Sequence, residues 1–386
     1  MAAGRARGVT MDKTLELLAR YESRNVTYME ADRSWPIVWE RALGMHVWDT
    51  AGKRYLDLTA AFGVANAGHA NPRVVRAGQQ QMRRLLHAMG DVHPHSLKAE
   101  LVQRLSQITF ERWTREAIEG RTILSNSGFE AVESALKTAL LATGKSGVIT
   151  FSGAYHGLGY GALNATHRKY FRGPFKSQLK EFGTAVEWPE KDLNEVETRI
   201  RKLASTKQFG AILVEPIQAR GGIRVPPNGF LKLLRKLCDR FGLLLILDEI
   251  YTGFGRTGEW FACEHENVVP DIICLGKAMS GGFPISACVG RGDLMNKAWP
   301  RSHGEALHTS TFLGHPVGCA MALAQIDEIK NLVDVARDRG EFLKRLCPAM
   351  RGVGLMAGLD VEDGAIAMRA VKRLLREGYI FLPEGD

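Results

Sequence analysis

Long apolar runs are missing from this 386-residue chain, and the longest strongly apolar stretch, residues 241–247, is far short of the roughly 18 residues a membrane-spanning helix needs. That length instead suits a buried strand. There is no internal repeat and no low-complexity linker. The six cysteines (Cys238, Cys263, Cys274, Cys288, Cys319 and Cys347) form no C-x-x-C pair and fall mostly in apolar surroundings, which reads as free core thiols in a reducing compartment. The start, MAAGRARGVT, has no apolar signal core, and Asp12 and Glu16 soon end its acid-free stretch, so a cytoplasmic protein is expected. Lysine and arginine exceed aspartate and glutamate, 51 against 42, but the excess of +9 is thinly spread. With no basic stripe interleaved with aromatics, neither nucleic acid nor a membrane is an expected partner; the charge favours anionic small molecules.

The composition, 45 % hydrophobic and 24 % charged, is that of a globular chain long enough for two or three domains. Residues 44–49 and 52–58 read as two strands joined by a turn at Ala51-Gly52. Helical spacing marks 100–109, 130–143, 230–241 and 315–331. Short apolar strands fall at 147–151, 211–215, 243–249 and 271–275. Strands alternating with helices predict an α/β fold, a mainly parallel sheet between helices. Residues 332–386 read as a smaller α+β unit.

Polar groups crowd the ends of these strands, where ligands sit in open α/β sheets. Residues 243–247 lead into Asp248-Glu249. Either acid alone reads equally as a solvated loop residue, although a desolvated one needs a partner. Asp271-Ile-Ile-Cys-Leu-Gly-Lys277 ends in a lysine that reads as a surface lysine or as a desolvated amine able to form a Schiff base. A phosphate-loop lysine does not fit, because Asp271 stands where the first glycine belongs and Ala278 replaces the hydroxyl residue. Ser125-Asn-Ser-Gly-Phe-Glu130 opens a helix and offers free N–H groups to an anion, or is a plain cap. Phe151-Ser-Gly-Ala-Tyr-His-Gly157 places an aromatic and a histidine just past a strand. His308-Thr-Ser-Thr-Phe-Leu-Gly-His-Pro316 gathers hydroxyls before a helix.

In this order the pieces resemble the class III aminotransferases, enzymes of fold type I that use pyridoxal 5′-phosphate (PLP). Asp248-Glu-Ile-Tyr-Thr-Gly-Phe-Gly-Arg-Thr-Gly258 is similar to that family's acid signature. Leu275-Gly-Lys277 with Gly281-Gly-Phe-Pro284 is similar to its lysine signature, and the resemblance runs from about Val47 to Gly378. It implies a large PLP-binding domain over 61–315, an N-terminal segment 1–60 that packs with the small domain, and a small domain over 316–386 that is incomplete. It implies that Lys277 holds the cofactor covalently and shuttles a proton, and that Asp248 pairs with the pyridine nitrogen. Ser127, Gly128 and Phe129 are implied at the phosphate, Tyr155 and Ile250 on the two ring faces, and His156 and Tyr251 beside the cofactor. Glu215 matches a glutamate near the substrate amine that often pairs with an arginine, and His156 is expected to be a structural neighbour of Tyr155 rather than a proton donor. Thr311 is implied at the phosphate of a neighbouring subunit's cofactor, which makes a homodimer part of the site.

The sequence also departs from the family pattern. Phe129 stands where Thr, Ser or Ala is usual, which keeps a backbone contact and loses a hydroxyl. Tyr251 replaces a glutamine. Leu158 stands where enzymes for acetylornithine or 4-aminobutyrate carry an arginine, which speaks against those close analogues. The chain stops at Leu-Pro-Glu-Gly-Asp386, ahead of the strand whose arginine normally clamps a substrate carboxylate; Arg220 and Arg224 are the nearby candidates for that role. Residues 161–166 and 171–175 are similar to putrescine and ornithine enzymes, 261–265 and 270–276 to diaminopelargonate enzymes, and 63–69 to 4-aminobutyrate enzymes. The expected reaction is transfer from a terminal-amine donor, a diamine or ω-amino acid, to a 2-oxo acid by a ping-pong mechanism. An aminomutase or decarboxylase on the same fold, and a catalytically degenerate PLP-binding scaffold, are the alternatives.

Overall fold

The computed structural model describes residues 11–385 apart from 33, 115 and 117. Three strands, β1 (Trp39–Leu43), β2 (His46–Asp49) and β3 (Arg54–Asp57), form an antiparallel meander near the start. The turn between β2 and β3 is where the sequence places it, with Gly52 at φ +83° and Asp49 Oδ1 accepting the N–H groups of Ala51 and Lys53. β1 escaped the sequence reading because it is mostly exposed and carries no apolar alternation.

Seven further strands form the main sheet: β4 (Gly120–Ser125), β5 (Gly147–Phe151), β6 (Gly183–Val186), β7 (Phe209–Val214), β8 (Leu244–Asp248), β9 (Ile272–Leu275) and β10 (Ser286–Arg291). Their spatial order is β4-β10-β9-β8-β7-β5-β6. Only β10 runs against the rest, antiparallel to both β9 and β4, while β5 to β9 pair in parallel. The sheet is therefore mainly parallel, as expected, with one reversed strand.

Both faces are covered, and the period-two alternation of strand side chains divides the core. Ile149, Ile212, Leu245, Leu247 and Ile273 join one buried cluster with the helices at Ser96–Ile108, Asn194–Ser205, Phe230–Phe241 and Pro316–Lys330. Val148, Leu213, Ile246 and Cys274 face the other way, against the alanine-rich helix Gly128–Thr143. Its small residues (Ala131, Ala135, Ala139 and Ala142) let that helix lie close on the sheet. Five of the six cysteines are buried and all six are free.

After the main sheet the chain adds a hairpin of β11 (Arg351–Val353) and β12 (Met356–Gly358), a helix over Gly364–Glu377 and β13 (Tyr379–Ile380). β13 pairs in parallel with β3. Among the described residues no helix is long and apolar enough to cross a membrane.

Candidate active site

Because β4 and β5 to β9 run the same way, their carboxyl ends lie along one edge of the sheet, and the candidate residues collect there. β8 ends in Asp248, β7 leads into Glu215, and β9 is followed by Gly276 and Lys277. The loop after β5 carries Tyr155 and His156, and β4 leads into the helix that starts at Gly128. A cavity of about 420 Å³ at this edge is lined by Gly128, Phe129, Tyr155, Asp248, Ile250 and Lys277, among others. These six sequence candidates thus share one wall with three more, His156, Glu215 and Tyr251, which also line it.

Asp248 is 5 % exposed. Its Oδ2 lies 2.8 Å from His156 Nδ1, and its Oδ1 accepts the Ile250 N–H at 3.2 Å. An ionised carboxylate only accepts, so Nδ1 carries the proton that joins the pair. The sequence reading placed His156 as a neighbour of Tyr155; the structure shows that it touches the buried acid. His156 Nε2 is buried with no hydrogen-bond partner among the described residues.

Lys277 adopts φ +43°, a left-handed conformation uncommon for a side-chain-bearing residue and concentrated at functional positions. Burial pulls its ammonium below the usual lysine range, partly countered by Asp248 and Glu215. Its Nζ lies 4.5 Å from the centre of the Tyr251 ring. The third buried ionisable group is Glu215, whose Oε1 accepts the Tyr155 N–H and whose Oε2 accepts that of Ala219. Burial pushes its carboxyl up to about 7, against the pull of His156. Glu215 thus spends its oxygens on two loop amides, and no arginine pairs with it among the described residues.

At the helix start, Glu130 accepts the N–H groups of Asn126 and Ser127 at 3.0 and 2.8 Å, and the Ser127 hydroxyl as well. Ser127 is thereby occupied and does not line the cavity. Gly128 and Phe129 do, and the first turn of a helix has N–H groups without intrahelical acceptors. Gly128 packs closely on Ile250: a Cβ there would sit 3.1 Å from Ile250 Cδ1, which would have to give by a few tenths of an ångström. Thr311 is exposed in the loop before Pro316 and is not in its own chain's cavity.

These residues fit PLP: a desolvated lysine, a buried carboxylate aligned by a histidine, open helix-start amides, and flat apolar or aromatic walls at Ile250 and Tyr155. The family model for class III aminotransferases matches residues 27–386. The chain belongs to the class III aminotransferases. It is 37 % identical over 357 residues to the acetylornithine aminotransferase of Methanopyrus kandleri, covering 90 % of this chain and 85 % of that protein. It is 38 % identical over 337 residues to the acetylornithine aminotransferase of Methanosarcina mazei, covering 85 % and 80 %. Among solved structures, ornithine aminotransferase from Toxoplasma gondii, described with partial occupancy of PLP at its active site, superposes with a TM-score of 0.84 at 29 % identity. That match covers 97 % of this chain and 87 % of the other. This aminotransferase is accordingly a PLP-dependent transaminase of fold type I, acting between an amino donor and a 2-oxo acid acceptor.

Two features of the aminotransferase cavity were only partly visible in the sequence. Leu158 lines it, and at 47 % exposure supplies an apolar rim without charge. Arg220 also lines it, with its guanidinium carbon 4.8 Å from the Tyr155 ring centre. Arg224 is turned elsewhere, to Glu190 at 2.5 Å.

Proposed function

We propose that this enzyme moves the terminal amino group of an ornithine-type or other straight-chain amine to a 2-oxo acid in two half-reactions. The observation that carries the reading is one cavity holding a desolvated lysine amine and a buried, histidine-aligned carboxylate. PLP, when bound, supplies the sink for the electron pair left when a proton leaves the carbon bearing the donor amine. Lys277 Nζ is the base that takes that proton, and desolvation favours the neutral amine it needs. Asp248 would hold a proton on the pyridine nitrogen, and the N–H groups of Gly128 and Phe129 would hold the phosphate. Tyr155, Ile250 and Tyr251 line the cavity and would confine the ring there. The names of the curated relatives support the donor class, and the uncharged rim at Leu158 favours an extended chain over a second anion there.

The active unit we propose is a homodimer. Leu86, Met89, Leu307 and Phe312 are each more than half exposed. His87 meets Phe312 at 5.4 Å and Thr309 Oγ1 donates to Asp91, which joins the two segments into one surface. Exposed apolar surface of this extent marks an interaction site. Thr311 lies in the same loop, where it is available to a second copy's phosphate.

The test is steady-state kinetics of the holoenzyme with ornithine, putrescine or 4-aminobutyrate against 2-oxoglutarate. Parallel double-reciprocal lines, with glutamate formed only when both substrates are present, are expected. Donor consumption that needs no 2-oxo acid would show a mutase or decarboxylase instead.

A further inference from the structure

We propose that the ring face of Tyr251 receives the ammonium that Lys277 becomes when it takes the proton from the donor carbon, which makes Tyr251 a catalytic residue. The inference rests on Lys277 being the base of the reaction, as argued above. In that step a carbon–hydrogen bond breaks, its electron pair stays on the donor side, and a nitrogen–hydrogen bond forms. A neutral amine thereby becomes a cation inside a desolvated cavity, where it needs an electron-rich neighbour.

The topology brings the two residues together. β8 and β9 are parallel neighbours with Asp248 opposite Cys274, and Tyr251 and Lys277 each stand three residues beyond that pair. The Glu249 N–H donates to the Cys274 carbonyl at 3.0 Å, which ties the start of one turn to the end of the other strand. The turn bearing Tyr251 is then pinned by the Glu249 side chain. It accepts the Thr252 hydroxyl and the N–H groups of Ala262 and Cys263, both at 2.8 Å. Gly63, at φ +75°, packs on one edge of the Tyr251 ring, where a Cβ would sit 3.0 Å from Cε1. The ring also packs against the buried cluster of Ile217, Ala219 and Met356. Its surroundings hold it and not its hydroxyl, which makes no hydrogen bond among the described residues.

Lys277 Nζ lies 4.5 Å from the ring centre, inside the roughly 6 Å over which an aromatic face attracts a cation. Among the described residues Nζ makes neither a hydrogen bond nor an ion pair. The charged groups acting on it are Asp248, Glu215, Arg220 and Glu384, and Glu384 Oε2 itself faces Arg220 Nε at 3.7 Å. Arg256 and Asp57 act in addition on Tyr251. None of these carboxylates pairs with Nζ, so the ring is the group in contact. A glutamine at position 251 would have no such face, whereas a phenylalanine would keep it.

The test uses holoenzyme loaded with pyridoxamine 5′-phosphate, the form in which Lys277 is free. The acid dissociation constant of its ammonium is read from the pH dependence of acetylation by acetic anhydride, followed by peptide mass mapping. Wild type is compared with Tyr251→Phe, Tyr251→Leu and a protein carrying trifluorinated phenylalanine at 251, whose fluorines draw charge off the face at nearly constant shape. Tyr251→Phe should stay within about twofold of wild type. The trifluorinated and Tyr251→Leu proteins should lose the proton roughly 3- to 30-fold more readily, and their donor half-reactions should slow.

An unmoved dissociation constant in the trifluorinated protein overturns the proposal. So does a Tyr251→Phe that behaves like Tyr251→Leu, which would assign the effect to the hydroxyl. Where melting temperature shows Tyr251→Leu to be misfolded, phenylalanine and its trifluorinated form decide. Lys277→Ala separates the two readings: continued transamination would fail the base assignment, whereas unmoved titrations beside an inactive Lys277→Ala would fail this pairing alone.

Discussion

His156 Nδ1 lies 2.8 Å from Asp248 Oδ2, and both side chains are buried. The histidine comes from the loop after β5 and the acid from the tip of β8, so the pair is made by the sheet order and not by neighbours in sequence. Removing a buried partner leaves the other group desolvated and free to turn. His156→Phe should lower the transamination rate by roughly 5- to 100-fold, with His156→Gln recovering part of it. Rapid-mixing absorbance of the donor half-reaction measures this, and an unchanged rate would assign His156 to packing alone.

Asp248→Asn keeps the shape and removes the charge. If Asp248 holds a proton on the pyridine nitrogen, the half-reaction should slow by about 10² or more, while the cofactor dissociation constant changes by less than about tenfold. Equilibrium dialysis and single-turnover rates separate the two effects.

Burial pushes the carboxyls of both Glu215 and Glu249 up from the ordinary 4.5 to about 7. Between those values the native state holds more protons than the unfolded chain, so stability falls as pH rises from about 4.5 to 7 and levels off above. Each shift corresponds to an effect on the order of 3 kcal/mol. Melting temperatures of the apoprotein from pH 5 to 8 should decline over that window, and Glu215→Gln should flatten the decline by roughly half, since Glu249 remains. An equal slope in the variant would contradict the shift at Glu215.

Much of this site was legible in the sequence because it sits at the ends of short apolar runs, whose length suits buried strands. Residues 147–151 and 272–275 have the boundaries read for them, to within one residue. What the pattern does not encode is direction and distant pairing. β10, Ser-Ala-Cys-Val-Gly-Arg, is buried but less apolar than β8 and β9, and nothing in its residues says that it runs backwards. β4 begins Gly120-Arg121-Thr122 at the sheet edge, too polar to stand out. The His156–Asp248 and Arg220–Glu384 contacts join residues far apart in sequence. The first needs the strand order; the second needs the path of the chain after β13. Arg220 was reached only by its proximity to Glu215, which could not separate it from Arg224.

Gly157 offers a test of the wall near the helix start. It sits at φ +112°, and a Cβ would lie 2.3 Å from Phe129 Cβ, an atom fixed by the backbone. Gly157→Ala should therefore displace Phe129, lower the melting temperature by roughly 2–4 °C, and weaken cofactor binding. Gly173→Ala, with nothing within 4 Å of its added carbon, is the control and should change neither.

The most direct measurement is borohydride reduction of the yellow holoenzyme followed by peptide mass mapping. The account predicts a reduced cofactor adduct on the peptide containing Lys277, and none in Lys277→Ala. An adduct on another lysine, or no adduct in wild type supplied with PLP, would contradict it.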